Sequence, residues 1–468
     1  MMKLYQRLES IMAQFRPVFS RQATFEWFVL LLWGILLNDQ PPAVTSYVNV
    51  LGLEEDYYHQ ALHWFHSSGF SIEGLSQAWS EWLKGDGEVH RLNGHRVYVG
   101  DGIKVAKEGR QMPGVKGLHQ ESEDVSKPEW IRGHYFSALG VLLGVKTPLF
   151  ASLITLKLHD GIEPTDSASA SLSLVDKMAQ LCVSYMEEGS YALLDAYYAA
   201  APLLKAFRKA KLHLISRVRI SSVAHAPFCA RPGRHGPGRP RKWGDPIKMR
   251  ELFEPIEHCA SAMVHLYGQS VTVAYQCFEF YWDSPTEPVL FVLTQLSCGK
   301  QIILISSDTR LSGPQVIEAY GWRFKIEVSF RTLVHLLGGF SYQFWSSTID
   351  RLSIWPKNLK MAEYPQSVQV QIEQKIEAFE RFINLNAIAL GILQLLALDL
   401  PEQVWASFPL WFRTLPKHGY PSERIVRLAL ENQLAQDLSK SRPTLLLDKF
   451  LQSKRRQHQT RQNHQCVA

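Results

Sequence analysis

Apolar residues recur at three- and four-residue spacing through the first ninety positions, as in YHQALHWFHSSGF and IEGLSQAWSEWL, and this period predicts a helical N-terminal domain over residues 1–90. The apolar run from Trp27 to Leu37 falls well short of the roughly 20 residues needed to cross a bilayer, so it predicts a buried helix and no membrane span. From Arg91 the pattern changes. RVYVGDG reads as a short β-branched and aromatic strand ending at Gly100, Asp101 and Gly102, and HYFSALGVLLG and FASLITLKLHDG predict two more strands. A period near 3.6 from Ser171 to Glu187 predicts a helix, YALLDAYY a strand containing Asp195, and an Ala- and Lys-rich stretch a further short helix. Three strands, a helix and another strand open a mixed α/β sheet, placed at 91–211.

Residues 212–299 have a different texture. LHLISRVRISSVAH, SVTVAYQCFEFYWD and PVLFVLTQLS read as strands around the Pro/Gly/Arg-rich stretch RPGRHGPGRPRKWGDP, which predicts a β-rich insertion with a basic loop. The remainder of the sheet domain is expected at 300–400. It starts with the strand KQIILISSDTRLS, followed by a helix that Ser312 or Gly313 opens with Pro314 in its first turn, running to about Leu337 and stopping at Gly338-Gly339. A helical C-terminal region with a basic tail is expected over 401–468.

Composition sharpens this picture. A 468-residue chain with 46% hydrophobic residues buries a sizeable core, and its net charge is only +6. That charge is uneven: Arg231–Arg250 holds seven Lys/Arg against Asp245, and Lys440–Ala468 seven against Asp448, so two basic stretches sit on a mildly acidic body and suit a polyanionic partner. The six cysteines are scattered without a CxxC pair, which predicts neither a zinc site nor a disulfide framework and fits a cytoplasmic setting.

Four aspartates follow apolar strands: Asp101, Asp160, Asp195 and Asp308. Taken singly, each is as well explained as a turn or cap residue. The helix after Asp308 discriminates. Tyr320, Arg323 and Glu327 lie at i, i+3 and i+7 and share one face, whereas Glu318, nine residues before Glu327, falls on the opposite face. A guanidinium fork fits phosphate oxygens, a phenol donates one hydrogen bond, and a carboxylate can hold a metal.

With those residues in place, the sequence resembles the bacterial insertion-sequence DDE transposases of the family-four-like group, whose third carboxylate lies in a Y-x2-R-x3-E-x6-K signature. Tyr320, Arg323 and Glu327 match the first three elements, while Val334 stands where the family has Lys; Lys325 and Arg331 are nearby cations. The likeness extends over VGDGIKVAKEGRQMPG, LLDAYYAAAPLL, LISRVR, GRPRKWGD, SSDTRLS and GGFSYQFW. It implies an RNase H-like mixed sheet with flanking helices, interrupted between the second Asp and the Glu, with Asp101 on the first strand, Asp195 on the fourth, Glu327 on the helix after the fifth, and Asp308 in a structural role at the end of that fifth strand. The intervals, 94 residues between Asp101 and Asp195 and 132 between Asp195 and Glu327, leave room for this split.

The resemblance further implies that Asp101, Asp195 and Glu327 bind two Mg²⁺ ions, with Mn²⁺ as a substitute. Tyr320, Arg323, Lys325 and Arg331 would contact DNA phosphates, with Arg239, Arg241 and Lys242 of the basic loop as further DNA contacts. The partners would be double-stranded DNA, both the terminal inverted repeats and the target, and a second copy of the chain on that DNA. The enzyme would cut the ends of a mobile element and join them to the target, working in the cytoplasm at the nucleoid. Two other readings carry the same residues: a structure-selective nuclease on the same sheet, and a DNA-binding relic that has lost catalysis. Trp243 and Trp282 are candidate stacking residues, with packing the better expectation for both.

Overall fold

The computed structural model describes residues 2–120, 128–145, 148–165, 172–227, 242–284, 286–296, 299–410, 418–440 and 445–465. Five helices open the chain: α1 (Leu4–Gln14), α2 (Gln22–Leu37), α3 (Val44–Val50), α4 (Tyr57–Trp64) and α5 (Ile72–Asp86). The apolar run expected to be a buried helix is α2, inaccessible on nearly every side. An aromatic cluster of Phe15, Phe19, Phe28, Trp64 and Trp79 fixes the helices around it. Ser71 caps α5 by accepting from the Gly74 amide at 3.0 Å.

The sheet has eleven strands. Ten of them are β1 (His95–Ala106), β2 (Lys116–His119), β3 (Trp130–Leu143), β4 (Phe150–Leu158), β5 (Tyr191–Leu194), β6 (His213–Val218), β7 (Ala260–Leu266), β8 (Gln269–Phe280), β9 (Val289–Gln295) and β10 (Gln301–Ser306), and the two-residue strand Arg91–Leu92 lies beside β1. From one edge they run β7-β8-β9-β10-β6-β5-β1-β3, with β2 and β4 both pairing with β3. The pairs β1–β5 and β5–β6 are parallel and the others antiparallel. Parallel pairs need a crossover: α6 (Leu174–Tyr185) lies between β4 and β5, and α7 (Ala201–Lys209) between β5 and β6. This is a mixed α/β sheet with flanking helices and a helical N-terminal region, consistent with the RNase H-like fold.

Three details depart from the sequence reading. First, β1 does not end at Gly100–Gly102 but continues to Ala106, because each of these residues pairs in register with β3: Gly100 with Leu139, Asp101 with Ala138 and Gly102 with Ser137. The glycines make room for neighbours. A Cβ on Gly100 would lie 2.6 Å from Leu194 Cδ2, and one on Gly102 2.1 Å from the Tyr135 hydroxyl. Second, β6, which was expected to open the insertion, lies parallel to β5 inside the sheet and takes the fifth place; β10, which ends at Ser306 just before Asp308, is antiparallel to it. The insertion strands β7, β8 and β9 extend this same sheet. Third, the expected single helix is two, α8 (Gly313–Trp322) and α9 (Phe324–His335), with Arg323 at the junction in helical conformation. Its start is as expected, since Ser312 and Gln315 form a capping box with Pro314 in the first turn.

The long helix α10 (Gln366–Asp399) passes through the middle of the molecule. By length and apolar content it could cross a membrane, yet 89% of that window is buried within the protein. Its polar residues finish the open edge of the sheet. Asn384 accepts from the Leu156 amide and donates to the Leu156 carbonyl, both at 2.9 Å, and Glu380 accepts from the Leu158 amide at 2.9 Å. These side chains do for β4 what a neighbouring strand would do. Asn384→Ala leaves a buried amide and carbonyl without partners and is expected to destabilise the protein by about 2–4 kcal/mol in a denaturant titration; a loss below about 0.5 kcal/mol would show that water reaches that edge. The C-terminal helices α11 (Pro401–Ser407), α12 (Glu423–Lys440) and α13 (Leu446–Gln465) return to the N-terminal ones: Glu9 of α1 accepts from the amides of Leu446 and Leu447, and Gln433 of α12 accepts from the Leu4 amide at 2.7 Å. One continuous apolar core reaches from Leu4 to Phe450.

Candidate active site

Asp101 lies in the middle of β1, and Asp195 is the first residue past β5, the parallel neighbour of β1. The carboxylate of Asp195 accepts no hydrogen bond among the described residues; only its carbonyl does, from Tyr198 N and Ser216 Oγ. The α8–α9 pair lies across the sheet here and presents Tyr320, Arg323 and Glu327 toward the strand ends. The Arg323 guanidinium links the two elements, with Nη1 donating to Asp101 at 2.8 Å and Nη2 to Glu327 at 2.5 Å, while it lies 6.0 Å from the centroid of the Tyr320 ring. The cluster is graded in depth: the side chain of Arg323 is 15% exposed, that of Asp101 20% and that of Glu327 41%.

Three carboxylates thus act on one another around a single guanidinium. Burial pushes the Asp101 carboxyl up to about 6; Arg323 and the Gly102 amide pull it back down, and the charges of Asp195 and Glu327 push it up further. Although Arg323 is desolvated, Asp101, Tyr320, Glu327 and Asp195 together hold its guanidinium more firmly protonated than usual. The Tyr320 hydroxyl is raised by burial, with Arg323 and Arg217 opposing and Asp195 and Tyr267 reinforcing. Beneath Asp101 the Tyr135 and Tyr198 hydroxyls meet at 2.8 Å, and burial raises both.

The other expected residues divide. Glu318 faces away as its position predicts, accepting from the His265 amide at 2.7 Å. Asp308 is buried; although burial alone would raise it, hydrogen bonds from Arg310 and Tyr191 bring it down to about 2, a structural carboxylate. Asp160 is a turn residue, bonded to the Gly161 amide and to Lys116 at 3.0 Å. Lys325 is not brought to the cluster: it is half-buried and attracted to Glu423 of α12, two positions and about 200° around α9 from Glu327. Arg331, one turn beyond Glu327, is exposed, as is Val334. Arg239 and Arg241 lie outside the described residues, and Lys242 is exposed at the edge of that stretch. Trp282 packs edge-on against Phe291 and Trp243 against His225, and both are half-buried.

Sequence reasoning missed Arg217 and the tyrosine pair. Arg217 is the one exposed residue of β6, its neighbours Ser216 and Val218 being buried, and its charge acts on Tyr320; no alternation in HLISRV marks it. Nothing local marks Tyr135 and Tyr198, which are 63 residues apart.

Among the described residues no group of three or more His, Cys, Asp or Glu side chains is arranged to hold a metal ion. Arg323 accounts for this around Asp101 and Glu327, because its fork fills the space between their carboxylates. The donor set itself suits a hard divalent cation: three carboxylates face one cation, and one of the three has no hydrogen-bond donor.

No curated protein matches the chain. Among solved structures, a piggyBac transposase synaptic complex with hairpin DNA, determined by cryo-EM, is similar at 11% identity and a TM-score of 0.37, covering 96% of this chain and 83% of that one. A family model described as DDE superfamily endonuclease matches residues 14–264, a stretch that includes Asp101 and Asp195 and stops before Glu327. Since that match spans more than half of the sequence, the chain belongs to the DDE superfamily endonucleases.

Proposed function

We propose that the protein is a DNA transposase of the insertion-sequence type, which cuts the ends of a mobile element and joins them to target DNA, with Asp101, Asp195 and Glu327 as its catalytic carboxylates. The observation that carries this reading is the Arg323 bridge: Asp101 and Glu327, far apart in the chain, meet on one guanidinium beside Asp195 at the end of the parallel strands. In α/β sheets such strand ends are where ligands bind.

The three carboxylates would hold a pair of Mg²⁺ ions, which in phosphoryl transfer lower the pKa of the attacking water and offset charge on the leaving 3′-oxygen. Everything else falls to the chain. Arg323 is released from Asp101 and Glu327 when another cation takes its place, and its fork then points at the phosphate being cut. Tyr320, already within 6.0 Å of that guanidinium, donates its hydroxyl to a phosphate oxygen. Arg217 and Arg331 place further positive charge along the strand. The low dielectric around Asp101 strengthens each of these interactions. No covalent link between protein and DNA is needed, since water attacks in the first cut and the freed 3′-OH in the second. Joining two ends calls for two such sites, hence a dimer on DNA.

The test is cleavage of a labelled duplex carrying the flanking element's terminal repeat, in Mg²⁺, Mn²⁺ or EDTA, followed by strand transfer with pre-cut ends. Metal-dependent cutting at the repeat boundary and joining to a target are the expected results. Cutting without joining would favour a structure-selective nuclease, and binding without cutting a relic in which Val334, at the family's Lys position, is the first suspect.

A further inference from the structure

A large cavity lies away from the carboxylates, at the far end of the strand that carries Asp101. Its volume is about 880 Å³, and it is formed where the loop after β1 meets the segment after α9, with Lys107, Arg110, Tyr342, Trp345 and Arg351 among its walls. Two backbone hydrogen bonds of 2.9 Å join these segments, from Ser346 N to Gln111 O and from Leu352 N to Arg110 O. Arg132 braces the first loop by donating to the carbonyls of Glu108 and Gly109 at 2.8 and 3.0 Å. Lys107 fixes the floor: its ammonium donates to the Phe340 and Tyr342 carbonyls at 2.6 and 3.0 Å and lies 3.7 Å from the centroid of the Tyr342 ring. The walls are therefore rigid.

What they offer is unspent. Arg110 and Arg351 are exposed, and neither has a hydrogen-bond or ion-pair partner for its side chain among the described residues; Trp345 is 62% exposed. Of the acidic residues only Glu108 lines the cavity, against the two free guanidiniums; Lys107 is already committed to carbonyls, and burial lowers it to about 7. Free guanidiniums beside an open indole suit a single nucleic-acid strand, whose phosphates pair with the cations and whose bases stack on the ring. The cavity lies within the size range of small-ligand pockets, about 300–1,000 Å³, whereas a duplex, whose major groove alone is about 12 Å wide, does not enter it. Its place along the strand is informative too. Lys107 is six residues past Asp101, about 20 Å along the strand at roughly 3.3 Å per residue, so the groove and the carboxylates are separate places on one path.

We propose that this groove binds an unpaired DNA strand at the far end of β1 from Asp101, with Arg110 and Arg351 on its phosphates and Trp345 stacked on a base. The proposal rests on the reading above only in taking DNA as the substrate. It provides for the strand that separates when an element end is opened, and it holds that strand apart from the scissile phosphate.

The test uses the full-length protein, fluorescein-labelled dT12 and fluorescence anisotropy over a KCl series in EDTA, conditions in which cleavage plays no part. Arg110→Ala with Arg351→Ala is expected to weaken binding about ten-fold and to lower the salt slope by about 1.4, for two contacts at about 0.7 each. Trp345→Ala is expected to weaken binding about ten-fold at unchanged slope, and Trp345→Phe to restore it. A triple variant that binds dT12 with wild-type affinity and slope overturns the proposal, as does an rU12 probe bound more tightly than dT12 through the same residues. The two readings fail separately. Groove-dependent dT12 binding in a protein that cuts no terminal repeat under any metal keeps the groove and removes the transposase; normal cutting with dT12 binding indifferent to all three substitutions does the reverse.

Discussion

Alanine at Asp101, Asp195 or Glu327 is expected to abolish cleavage, each by at least about 10³-fold, while binding to element-end DNA stays within a few-fold of wild type. The size follows from position. Losing a residue that merely orients a metal ligand commonly costs about 10–100-fold, so losing a carboxylate that holds the ion costs more. Retained binding follows from sign: the groups that attract phosphate are cations, and removing an anion beside them takes away repulsion. The fold survives these changes because each removes charge from a cluster with an excess of it. Asp101 is the telling case, since its carboxyl is held up at about 6 by burial and by its acidic neighbours, so the neutral side chain relieves a local cost even as Arg323 keeps Glu327 as partner. Single-turnover cleavage and gel-shift titration on the same preparations check both halves. Near-wild-type cutting in any one variant removes that residue from the catalytic set.

Much of this site was legible before any coordinates, and the reason is periodicity. Helical spacing placed Tyr320, Arg323 and Glu327 on one face and Glu318 on the other, and in the fold Arg323 reaches Glu327 while Glu318 reaches His265. What local pattern cannot carry is pairing across the chain. Arg323 reads in sequence as an i−4 partner of Glu327; that its other nitrogen reaches Asp101, 222 positions away, depends on how β1 lies beneath α8 and α9. The strand error at Gly100–Gly102 has the same origin. Two glycines around an aspartate read as a turn, but here Leu194 and the Tyr135 hydroxyl occupy the places where two side chains would have stood. Likewise β6 reads like any insertion strand, and only its parallel pairing with β5 assigns it to the centre of the sheet. The polar residues of α10 were unreadable for a similar reason. Asn384 looks like a blemish in an apolar helix until β4 is seen to lack a neighbour on that side.

Arg323→Ala is expected to lower cleavage by about 10²–10³-fold, and Arg323→Lys to restore only part of it. Removing one preorganised donor aimed at developing charge costs about that much, and lysine supplies charge without the fork that spans two oxygens. Three further readings separate a phosphate contact from a merely structural one. Binding of element-end duplex should weaken and its salt slope fall by about 0.9, the contribution of one phosphate contact; a slope identical to wild type would leave Arg323 as a brace between β1 and α9 and nothing more. The pH profile at limiting metal should also move, in a direction fixed by charge. Asp101 binds a cation as the carboxylate, so with its carboxyl at about 6 wild-type cutting rises as pH climbs through about 6. Burial, Asp195 and Glu327 all favour the protonated form, and Arg323 is the charged neighbour that opposes them. Without the guanidinium the carboxyl of the metal-free protein titrates higher and the rise in activity at limiting metal shifts to more alkaline pH, whereas a profile that falls in amplitude without shifting would mean that Arg323 does not hold the Asp101 carboxylate before a cation binds. The lysine variant, which keeps a positive charge within reach of Asp101, should retain most of the wild-type pH profile while recovering little of the rate, and that split assigns the charge of Arg323 to the carboxylates and its shape to the phosphate.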